Sequence, residues 1–479
     1  MAENTESGLN PARMVLATAR NHPDLLAIVK DQSMLTYAQF ARLVLAVAGR
    51  MQALGIGPGS RVAMTSNDVT VIAPVVLGAA LLGAACVSEA ASRHLPERLR
   101  PTHRLADTEA QVQAGTEVVT ADWAKFPPLD PDHLPQVDGT APLIYAPTSG
   151  TTGTPKILTI SQEVQARRAL ATKDDFVTRK TVFCTLFGAD AYPFITRFIS
   201  AFVNGATVVQ SRDPALWYAA GVNHLYASVA QIGVFLEGRI LPRKLPLIHV
   251  SGARLSDALA LHLLNSFDQV VDLYASTETN RSFKNVKFID GTGKLATRGQ
   301  PLDSRVEIVN DAGEPLEPGE TGLVRVKNGY LATGYLDNPQ ATATSFRDGG
   351  FYTGDVAVFG SNGELQVVGR TGDILNLGGV KVSALAMDDA LRALPGVADA
   401  MCFDMPVDGK ANSFLAFIVP ASGASMAAIG DAFRATILPA FGAARSPERL
   451  IEITEVPRAH DGGAKRFMCR TIYQAGRRS

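Results

Sequence analysis

Cysteine is scarce in this sequence of 479 residues, and neither sign of charge is in excess. The four cysteines are far apart, so they suggest neither a metal-binding spacing nor a disulfide framework. The 45 Lys and Arg residues nearly balance the 46 Asp and Glu residues, which leaves a net charge of −1. Without a basic surplus, we expect no binding to nucleic acid or to an anionic membrane surface.

The N-terminus lacks a basic region followed by an apolar core, which argues against secretion. We therefore expect a cytoplasmic protein with reduced thiols. Residues 69–87 form an uncharged run about as long as a minimal membrane span. Because this run contains Pro74 and two glycines and has no aromatic or basic anchors, the sequence predicts a buried helix leading into a strand instead.

The length exceeds what one hydrophobic core usually supports, so two or more domains are expected. Short apolar runs alternate with helical patterns over the first 300 residues, which predicts parallel sheets covered by helices. From about Arg305 the pattern of strands and turns predicts a small antiparallel region. After Gly369, a helix and an apolar strand over Phe414–Val419 indicate a smaller α+β unit, with the boundary between Arg370 and Asp373.

Residues 148–156 read Thr-Ser-Gly-Thr-Thr-Gly-Thr-Pro-Lys and follow an apolar run that predicts a buried strand. The glycines allow the backbone to approach a ligand, so that consecutive N–H groups can surround an anion. Hydroxyl groups and one lysine add further donors, which predicts a phosphate-binding segment. Alone, such a composition is also typical of a solvated turn. The candidate phosphate ligands are Thr148, Ser149, Gly150, Thr151, Thr152, Gly153 and Lys156.

Further motifs follow in a fixed order. They are Leu-Tyr-Ala-Ser-Thr-Glu at 273–278, Gly-Tyr-Leu-Ala-Thr-Gly-Tyr-Leu-Asp-Asn-Pro at 329–339, Tyr-Thr-Gly-Asp at 352–355, Gly-Arg-Thr-Gly-Asp-Ile at 369–374 and Gly-Gly-Val-Lys-Val at 378–382. Together with the phosphate segment, this order resembles the AMP-forming adenylating enzymes, which include acyl-CoA synthetases, peptide-synthetase adenylation domains and beetle luciferases. The resemblance extends from about Leu35 to Arg470.

The resemblance implies an α/β fold in two parts. A large N-terminal core domain, residues 1–371, would contain two doubly wound sheets and a small β-barrel. A small, mobile α+β lid domain, residues 372–479, would follow it.

The resemblance also implies that ATP and Mg²⁺ activate a small-molecule carboxylic acid as an acyl-adenylate, with release of pyrophosphate. Such a site has to neutralise phosphate charge and align the attacking oxygen, and it needs no covalent intermediate on the protein. Glu278 is then the expected Mg²⁺ ligand, beside Thr277, and Lys465 the lysine that stabilises charge on the attacking carboxylate. The further ATP and AMP ligands implied are Gly252, Ala253, Tyr274, Ala275, Ser276, Asp355 and Arg370.

A second half-reaction is implied as well, in which the C-terminal domain rotates and a thiol attacks the adenylate. Gly372 would be the pivot, and Gly378, Gly379 and Lys381 would face the thiol substrate. Coenzyme A is the expected thiol, and a separate carrier protein is the alternative. Because the chain ends at Ser479 without room for a fused carrier, either acceptor is expected to act in trans.

The acyl pocket is expected to include Phe187, Tyr192 and Gly252. Its surroundings are mostly apolar, which favours a fatty or aromatic acid over an amino acid. Four residues depart from the family motifs. Ala275 and Ala464 stand where the family usually has glycine, Arg254 stands where the stretch beside the purine usually has proline, and Gly372 stands where the pivot is usually Asp or Lys. They motivate a third interpretation, a catalytically weak protein that binds nucleotides or acyl-adenylates.

Overall fold

The computed structural model describes residues 9–108, 115–148, 156–172, 177–189, 191–377, 380–407, 410–457 and 466–476. The α-helices in these ranges are α1 Pro11–Asn21, α2 Tyr37–Ala53, α3 Val69–Leu82, α4 Glu89–Ser92, α5 Gln162–Leu170, α6 Tyr192–Val203, α7 Pro214–Ala220, α8 Val229–Leu236, α9 Asp257–Leu263, α10 Pro339–Ser345, α11 Ala384–Arg392, α12 Met426–Phe441 and α13 Arg466–Gly476. Judged by length and apolarity, no helix in the described ranges is able to cross a membrane.

The strands mostly alternate with helices up to β13 and then follow one another to β20, with α10 between β17 and β18. They are β1 Leu26–Lys30, β2 Ser33–Thr36, β3 Arg61–Thr65, β4 Ala85–Ser88, β5 His103–Ala106, β6 Thr116–Val118, β7 Pro142–Thr148, β8 Lys156–Ser161, β9 Val182–Thr185, β10 Thr207–Gln210, β11 His224–Ser228, β12 Leu245–Ser251, β13 Phe267–Ser276, β14 Asn280–Ile289, β15 Leu295–Pro301, β16 Arg305–Val309, β17 Gly322–Lys327, β18 Phe346–Arg347, β19 Gly350–Phe359, β20 Leu365–Arg370, β21 Ile374–Leu377, β22 Val380–Ser383, β23 Val397–Val407, β24 Lys410–Pro420 and β25 Arg449–Glu452.

Two large sheets form the core of the first 300 residues. One has the order β6-β5-β3-β4-β7-β8, in which every pair is parallel except β7 with β8. The other has the order β15-β14-β13-β12-β11-β9-β10-β1-β2, with a parallel centre from β13 to β1 and antiparallel strands at both edges. The predicted pair of doubly wound sheets is confirmed.

Helix α3 and strand β4 account for the uncharged run at residues 69–87. Asp68 caps the helix by accepting a hydrogen bond of 2.8 Å from the N–H of Thr70, and all but Thr70 and Val71 of its 14 residues are buried. Small residues allow close packing on α2, because a Cβ added at Gly78 would lie 3.4 Å from Cα of Ala48. The prediction of a buried helix leading into a strand is confirmed.

An antiparallel sheet follows the two large ones. Its order is β16-β17-β19-β18, and β20 pairs with β19 on the other side. This sheet is the small β-barrel region that the sequence predicts. It contacts the nine-stranded sheet through Asn285. The side-chain amide of Asn285 donates a hydrogen bond of 2.8 Å to the carbonyl of Leu365, and its Oδ1 accepts one of 3.0 Å from the N–H of Leu365.

The chain after Arg370 forms the α+β unit, with hairpin β21-β22, sheet β23-β24-β25 and helices α11 to α13. Side chains alternate along β24, so that Phe414 and Ile418 enter one apolar cluster while Leu415 and Phe417 enter another. Among the described residues, no hydrophobic cluster combines side chains from before and after the turn at residues 371–373. This division supports the domain boundary at 371/372, which stays a prediction.

Gly299 on β15 touches the turn between β19 and β20. A Cβ added at this position would lie 1.9 Å from the carbonyl oxygen of Gly363. Gly299→Ala is therefore expected to force the two sheets apart and to lower the free energy of unfolding by about 2 kcal/mol or more. Thermal denaturation of the variant measures this loss. Gly291→Ala is the matched control, because an added Cβ there meets nothing within 4 Å, and an equal loss in both variants would contradict the argument.

Candidate active site

The carboxyl end of β13 carries Tyr274, whose hydroxyl reaches the antiparallel sheet. The phenol donates a hydrogen bond of 2.5 Å to Oδ2 of Asp355 and lies 2.9 Å from Oγ1 of Thr353. Burial and the neighbouring carboxylate raise the pKa of Tyr274 well above its usual value, so the hydroxyl remains a donor at neutral pH. Tyr274 thus joins two sheets, and its predicted role as an ATP or AMP ligand stays a prediction.

Asp355 and Arg370 are brought together, as the motifs suggest. They face each other across the β19-β20 ladder, and Nε of Arg370 donates 3.1 Å to Oδ1 of Asp355. The aspartate side chain is only 13% exposed, whereas the arginine is 47% exposed. Each oxygen of the carboxylate therefore has one protein donor and retains lone-pair capacity for a ligand.

Glu278 follows the end of β13 and is buried, with 8% of its surface exposed. Its Oε1 accepts a hydrogen bond of 2.8 Å from the hydroxyl of Tyr335. Within the described ranges, Tyr335 is the one hydrogen-bond partner of this carboxylate. Ala275 and Ser276 end β13, and Thr277 and Glu278 form the corner that follows the strand. Ala275 replaces a glycine of the family motif, and its φ is not positive, so its side chain is accommodated.

A buried arginine on α5 fixes the backbone of this corner. The guanidinium of Arg168 donates to the carbonyls of Thr277 at 3.1 Å, Glu278 at 2.8 Å and Tyr330 at 3.1 Å, and it also donates to the hydroxyl of Tyr192. The side chain is fully buried. Because its donors bond to the carbonyls of two successive residues of this segment, Arg168 helps to set the position from which Thr277 and Glu278 project.

Lys156 begins β8, directly after the predicted phosphate segment. It pairs with Thr148 at the end of β7, where Oγ1 of Thr148 donates 3.3 Å to the carbonyl of Lys156. Its ammonium group lies 4.7 Å from the centre of the Tyr335 ring. Ser149, Gly150, Thr151, Thr152 and Gly153 lie outside the described residues.

Two series of contacts therefore lie at the carboxyl end of β13. One leads from Arg370 through Asp355 to Tyr274, and the other leads from Glu278, which follows the strand, through Tyr335 to Lys156. Each series contains one carboxylate and ends in one basic group. This order suits a ligand with hydroxyl groups at one end and phosphates at the other.

The donors present fit a Mg²⁺ ion that arrives with phosphates. Protein Mg²⁺ sites of this kind use one or two carboxylates plus substrate oxygens, and Glu278 offers one carboxylate. Over the described part of the chain, no group of three or more His, Cys, Asp or Glu side chains forms a cation site by itself. The four cysteines are buried and unpaired with one another, as the sequence suggests.

The residues predicted beside the purine lie in an exposed loop after β12. Gly252 has a φ of +89°, a conformation that favours glycine, and Ala253 is exposed beside it. Arg254, which replaces the usual proline, extends to α11, where its Nη1 lies 3.5 Å from Oδ2 of Asp389. The departure at position 254 thus provides an ion pair between the loop and the C-terminal unit.

The predicted acyl pocket stays a prediction, and two of its residues, Phe187 and Tyr192, pack against the same hydrophobic cluster. Phe187 packs on Tyr226, with ring centres 4.9 Å apart, and the hydroxyl of Tyr226 lies 2.8 Å from Oγ of Ser251, next to Gly252. Tyr192 lines a cavity of about 280 Å³. Its wall includes Met64, Cys86, Tyr145, Pro147, Tyr192 and Thr277.

The hinge motif forms a short 3₁₀ turn over Thr371–Asp373, with Gly372 at its centre. Oδ1 of Asp373 accepts a hydrogen bond of 2.7 Å from Nε of Arg466, the first residue of α13. Lys381 lies on β22, where its backbone pairs with Asn376. Gly378, Gly379 and Lys465 lie outside the described residues, so their predicted roles stay predictions.

Arg466 makes two further buried contacts. It donates 2.6 Å to Oδ2 of Asp388 on α11 and 2.6 Å to the carbonyl of Cys402 on β23. Burial raises the pKa of Asp388, and the guanidinium offsets part of that rise by stabilising the ionised carboxylate. The residue that follows Lys465 is thereby fixed to both the hinge and the sheet.

Several residues of the site are absent from the sequence-based prediction. Arg168 and Arg197 each bring a charge into a helix buried against the core, and Arg197 is the one charged residue of α6, where its guanidinium lies 4.8 Å from the ring of Tyr226. Tyr335 lies within a recognised motif, but nothing in the motif shows that its hydroxyl meets Glu278. A charged side chain within an apolar helix is the signal available in the sequence for Arg197, whereas α5 is polar and contains other charged residues, so the sequence does not single out Arg168.

The fold and these contacts place the protein among the nucleotide-binding α/β enzymes. A family model described as AMP-binding enzyme matches residues 15–336, more than half of the chain. The chain therefore belongs to this family, and the predicted membership in the AMP-forming adenylating enzymes is confirmed.

Curated relatives and solved structures agree with the assignment. The chain is 25% identical to oxalate–CoA ligase of Arabidopsis thaliana in an alignment of 500 positions that covers 94% of this chain and 95% of the relative. It is 27% identical to feruloyl-CoA synthase of Amycolatopsis sp over 440 residues, covering 85% and 87%. The structure of o-succinylbenzoate coenzyme A synthetase (MenE) from Bacillus subtilis, in complex with ATP and magnesium ion, superposes with a TM-score of 0.78 at 20% identity and covers 96% of this chain and 99% of that one.

Asp272 generates a prediction about pH. It lies on the same face of β13 as Tyr274, and burial raises its pKa to about 6, although Lys287 and Arg254 oppose the rise. A carboxyl that binds its proton more tightly when folded makes the native state less stable as pH rises from about 4 to 6. Asp272→Asn is therefore expected to raise the free energy of unfolding by about 1 to 2 kcal/mol at pH 7.5.

The gain from Asp272→Asn should shrink at pH 5 and vanish near pH 4. Chemical denaturation of both proteins at the three pH values measures it. A stability difference that stays constant across this range would contradict the assigned titration.

Proposed function

We propose that this protein is an ATP-dependent ligase that converts a carboxylic acid into an acyl-adenylate, releases pyrophosphate and passes the acyl group to the thiol of coenzyme A. Family membership supports the first half-reaction. Similarity to an oxalate–CoA ligase and a feruloyl-CoA synthase supports coenzyme A as the acceptor.

The observation that carries the proposal is the pair of contact series at the carboxyl end of β13, one from Arg370 to Tyr274 and one from Glu278 to Lys156. At one end, the remaining lone pairs of Asp355 accept hydrogen bonds from the two ribose hydroxyl groups, while Arg370 and Tyr274 hold the carboxylate in place. At the other end, Glu278 and Lys156 face the phosphates with opposite charges. The spacing between the two ends is set by the carboxyl end of β13.

Glu278 would hold Mg²⁺ through the carboxylate oxygen that Tyr335 does not occupy. The ion, when bound, neutralises phosphate charge and so makes pyrophosphate a better leaving group. Thr277 and Lys156 would donate to phosphate oxygens, and Lys465 would stabilise the charge on the attacking carboxylate. Catalysis then depends on positioning and electrostatics, without a protein nucleophile.

The second half-reaction would use the C-terminal unit. Rotation at Gly372 would withdraw Lys465 and bring the segment of Gly378, Gly379 and Lys381 towards the adenylate, where the thiol attacks its carbonyl carbon and AMP leaves. Glycine at the pivot is compatible with a large change in φ and ψ. The ion pair between Arg254 and Asp389 joins the loop after β12 to α11 and would have to break during this rotation.

The decisive experiment is acid-dependent release of pyrophosphate from MgATP. Fatty, aryl, dicarboxylic and amino acids would each be supplied with coenzyme A, with a pantetheinylated carrier protein or with neither thiol. Release with at least one acid and faster turnover with coenzyme A are expected. Preference for the carrier protein would make the chain a carrier-loading enzyme, and MgATP binding without release across the panel would favour the weak binding protein.

Lys465→Ala separates the two half-reactions. Acid-dependent pyrophosphate release should fall by about 100-fold or more, because a charge that stabilises the transition state is lost. Thiol transfer from supplied acyl-adenylate should stay within about threefold of the wild type. Arg434→Ala, an exposed change on α12, is the control and should alter neither reaction. Unchanged pyrophosphate release by Lys465→Ala would refute the role given to this lysine.

A further inference from the structure

We propose that Tyr335 is a positioning residue for the metal-nucleotide site, in which its hydroxyl orients Glu278 for a divalent cation and its ring holds Lys156 beside the phosphates. The inference rests on the proposed function, in which Glu278 binds Mg²⁺ and Lys156 contacts ATP. It assigns a separate task to each part of one side chain, so the two parts can be tested separately.

The backbone of Tyr335 is docked onto the strand that follows the phosphate segment. An antiparallel bridge joins Tyr335 to Leu158 on β8, and the N–H of Leu336 donates 2.8 Å to the carbonyl of Ile157. The N–H of Tyr335 donates 2.9 Å to Oγ1 of Thr342 at the start of α10. Lys156 and Tyr335 are therefore held by the same local pairing, independently of any ligand.

The ring of Tyr335 is packed as firmly as its backbone. Phe346 meets it edge to face, with ring centres 5.6 Å apart and planes inclined by 69°. Only 9% of the Tyr335 surface is exposed. Since the ring has little freedom to turn, the direction of its O–H towards Glu278 is fixed by packing.

The hydroxyl acts on one oxygen of Glu278. It donates 2.8 Å to Oε1, and both residues are buried. A carboxylate held through one oxygen presents the other in a defined direction, which is how outer-shell partners tune a metal ligand.

The ring acts on Lys156. The ammonium group lies 4.7 Å from the ring centre, within the range of a cation–π interaction. Among the described residues, no ion pair within 4.0 Å links Lys156 to Glu278, although both contact Tyr335. The tyrosine therefore keeps the cation available for phosphate oxygens and leaves the carboxylate available for the metal.

Tyr335→Phe tests the hydroxyl alone, because the phenyl ring remains for Lys156. Titration calorimetry would compare ATP with Mg²⁺ and ATP with EDTA, and a pyrophosphate assay would give the Mg²⁺ concentration for half-maximal release. We expect the Mg²⁺ requirement to rise by about 10-fold to 100-fold, as for loss of an outer-shell partner. Affinity for metal-free ATP should stay within twofold.

Tyr335→Leu removes both parts of the side chain, so it should show the same metal defect and also weaken metal-free ATP by threefold or more. Tyr330→Phe is the matched control. Tyr330 is also buried, but its hydroxyl lies 3.1 Å from Oγ of Ser304 and donates 2.5 Å to the carbonyl of Asp303. Its Mg²⁺ requirement should equal that of the wild type.

A double-mutant cycle tests the route through Glu278. In the Glu278→Gln background, Tyr335→Phe should raise the Mg²⁺ requirement by less than twofold, since the bond it removes acts on the missing carboxylate. A further tenfold rise in the Mg²⁺ requirement in that background would overturn the proposal. So would a folded Tyr335→Phe protein whose Mg²⁺ requirement lies within twofold of the wild type, or one whose affinity for metal-free ATP falls equally.

The calorimetric arm distinguishes this inference from the proposed function. If the wild type binds MgATP but releases pyrophosphate with no acid, the proposed ligase activity fails while the comparison of Tyr335 variants still decides the inference. If the wild type does not bind MgATP, both are overturned.

Discussion

The buried guanidinium of Arg168 is the interaction on which the rest of the site depends. A charge without solvent is costly unless its donors are used, and here they meet three backbone carbonyls and a hydroxyl from separate chain segments. Hydrogen bonds from a charged donor are worth about 1.5 to 3 kcal/mol each. The arginine therefore holds α5, the corner after β13 and the segment at Tyr330 in one arrangement.

This arrangement explains why Glu278 and Tyr335 meet. The carbonyl of Glu278 also accepts 2.9 Å from the N–H of Ala332, so the segment that carries Tyr335 is tied to the corner by its backbone before any side chain is considered. Glu278 and Tyr335 are 57 positions apart in the sequence, and the segment between them contains β16 and β17, the first strands of the antiparallel sheet. The contact between Glu278 and Tyr335 therefore depends on the folding of that sheet.

Much of the fold could be predicted from the sequence because the relevant signals are local. The helix at Val69–Leu82 follows from an uncharged run without aromatic or basic anchors, and the strand that ends at Thr148 follows from the apolar run before the phosphate segment. The pairing of Asp355 with Arg370 follows from two motifs on adjacent antiparallel strands. In each case, the distance in sequence between the interacting residues is short.

The remainder depended on packing between distant segments. Nothing near Tyr335 in sequence shows that its hydroxyl would find Glu278, and no motif marks Arg168. The contacts of two expected acyl-pocket residues are set by packing as well, since Tyr192 lines the cavity beside Thr277 and Phe187 packs on Tyr226. A family motif identifies residues that touch a ligand, whereas the side chains that support them are determined by the packing of each chain.

The three bonds of Arg466 have a mechanical consequence. Asp373 stands one residue after Gly372, so the 2.7 Å contact ties the start of α13 to the turn at residues 371–373. The other two contacts reach α11 and β23, so one guanidinium joins three parts of the C-terminal unit. Because all of these residues follow Gly372, the rotation proposed at that glycine would leave the three contacts intact and move them as one body.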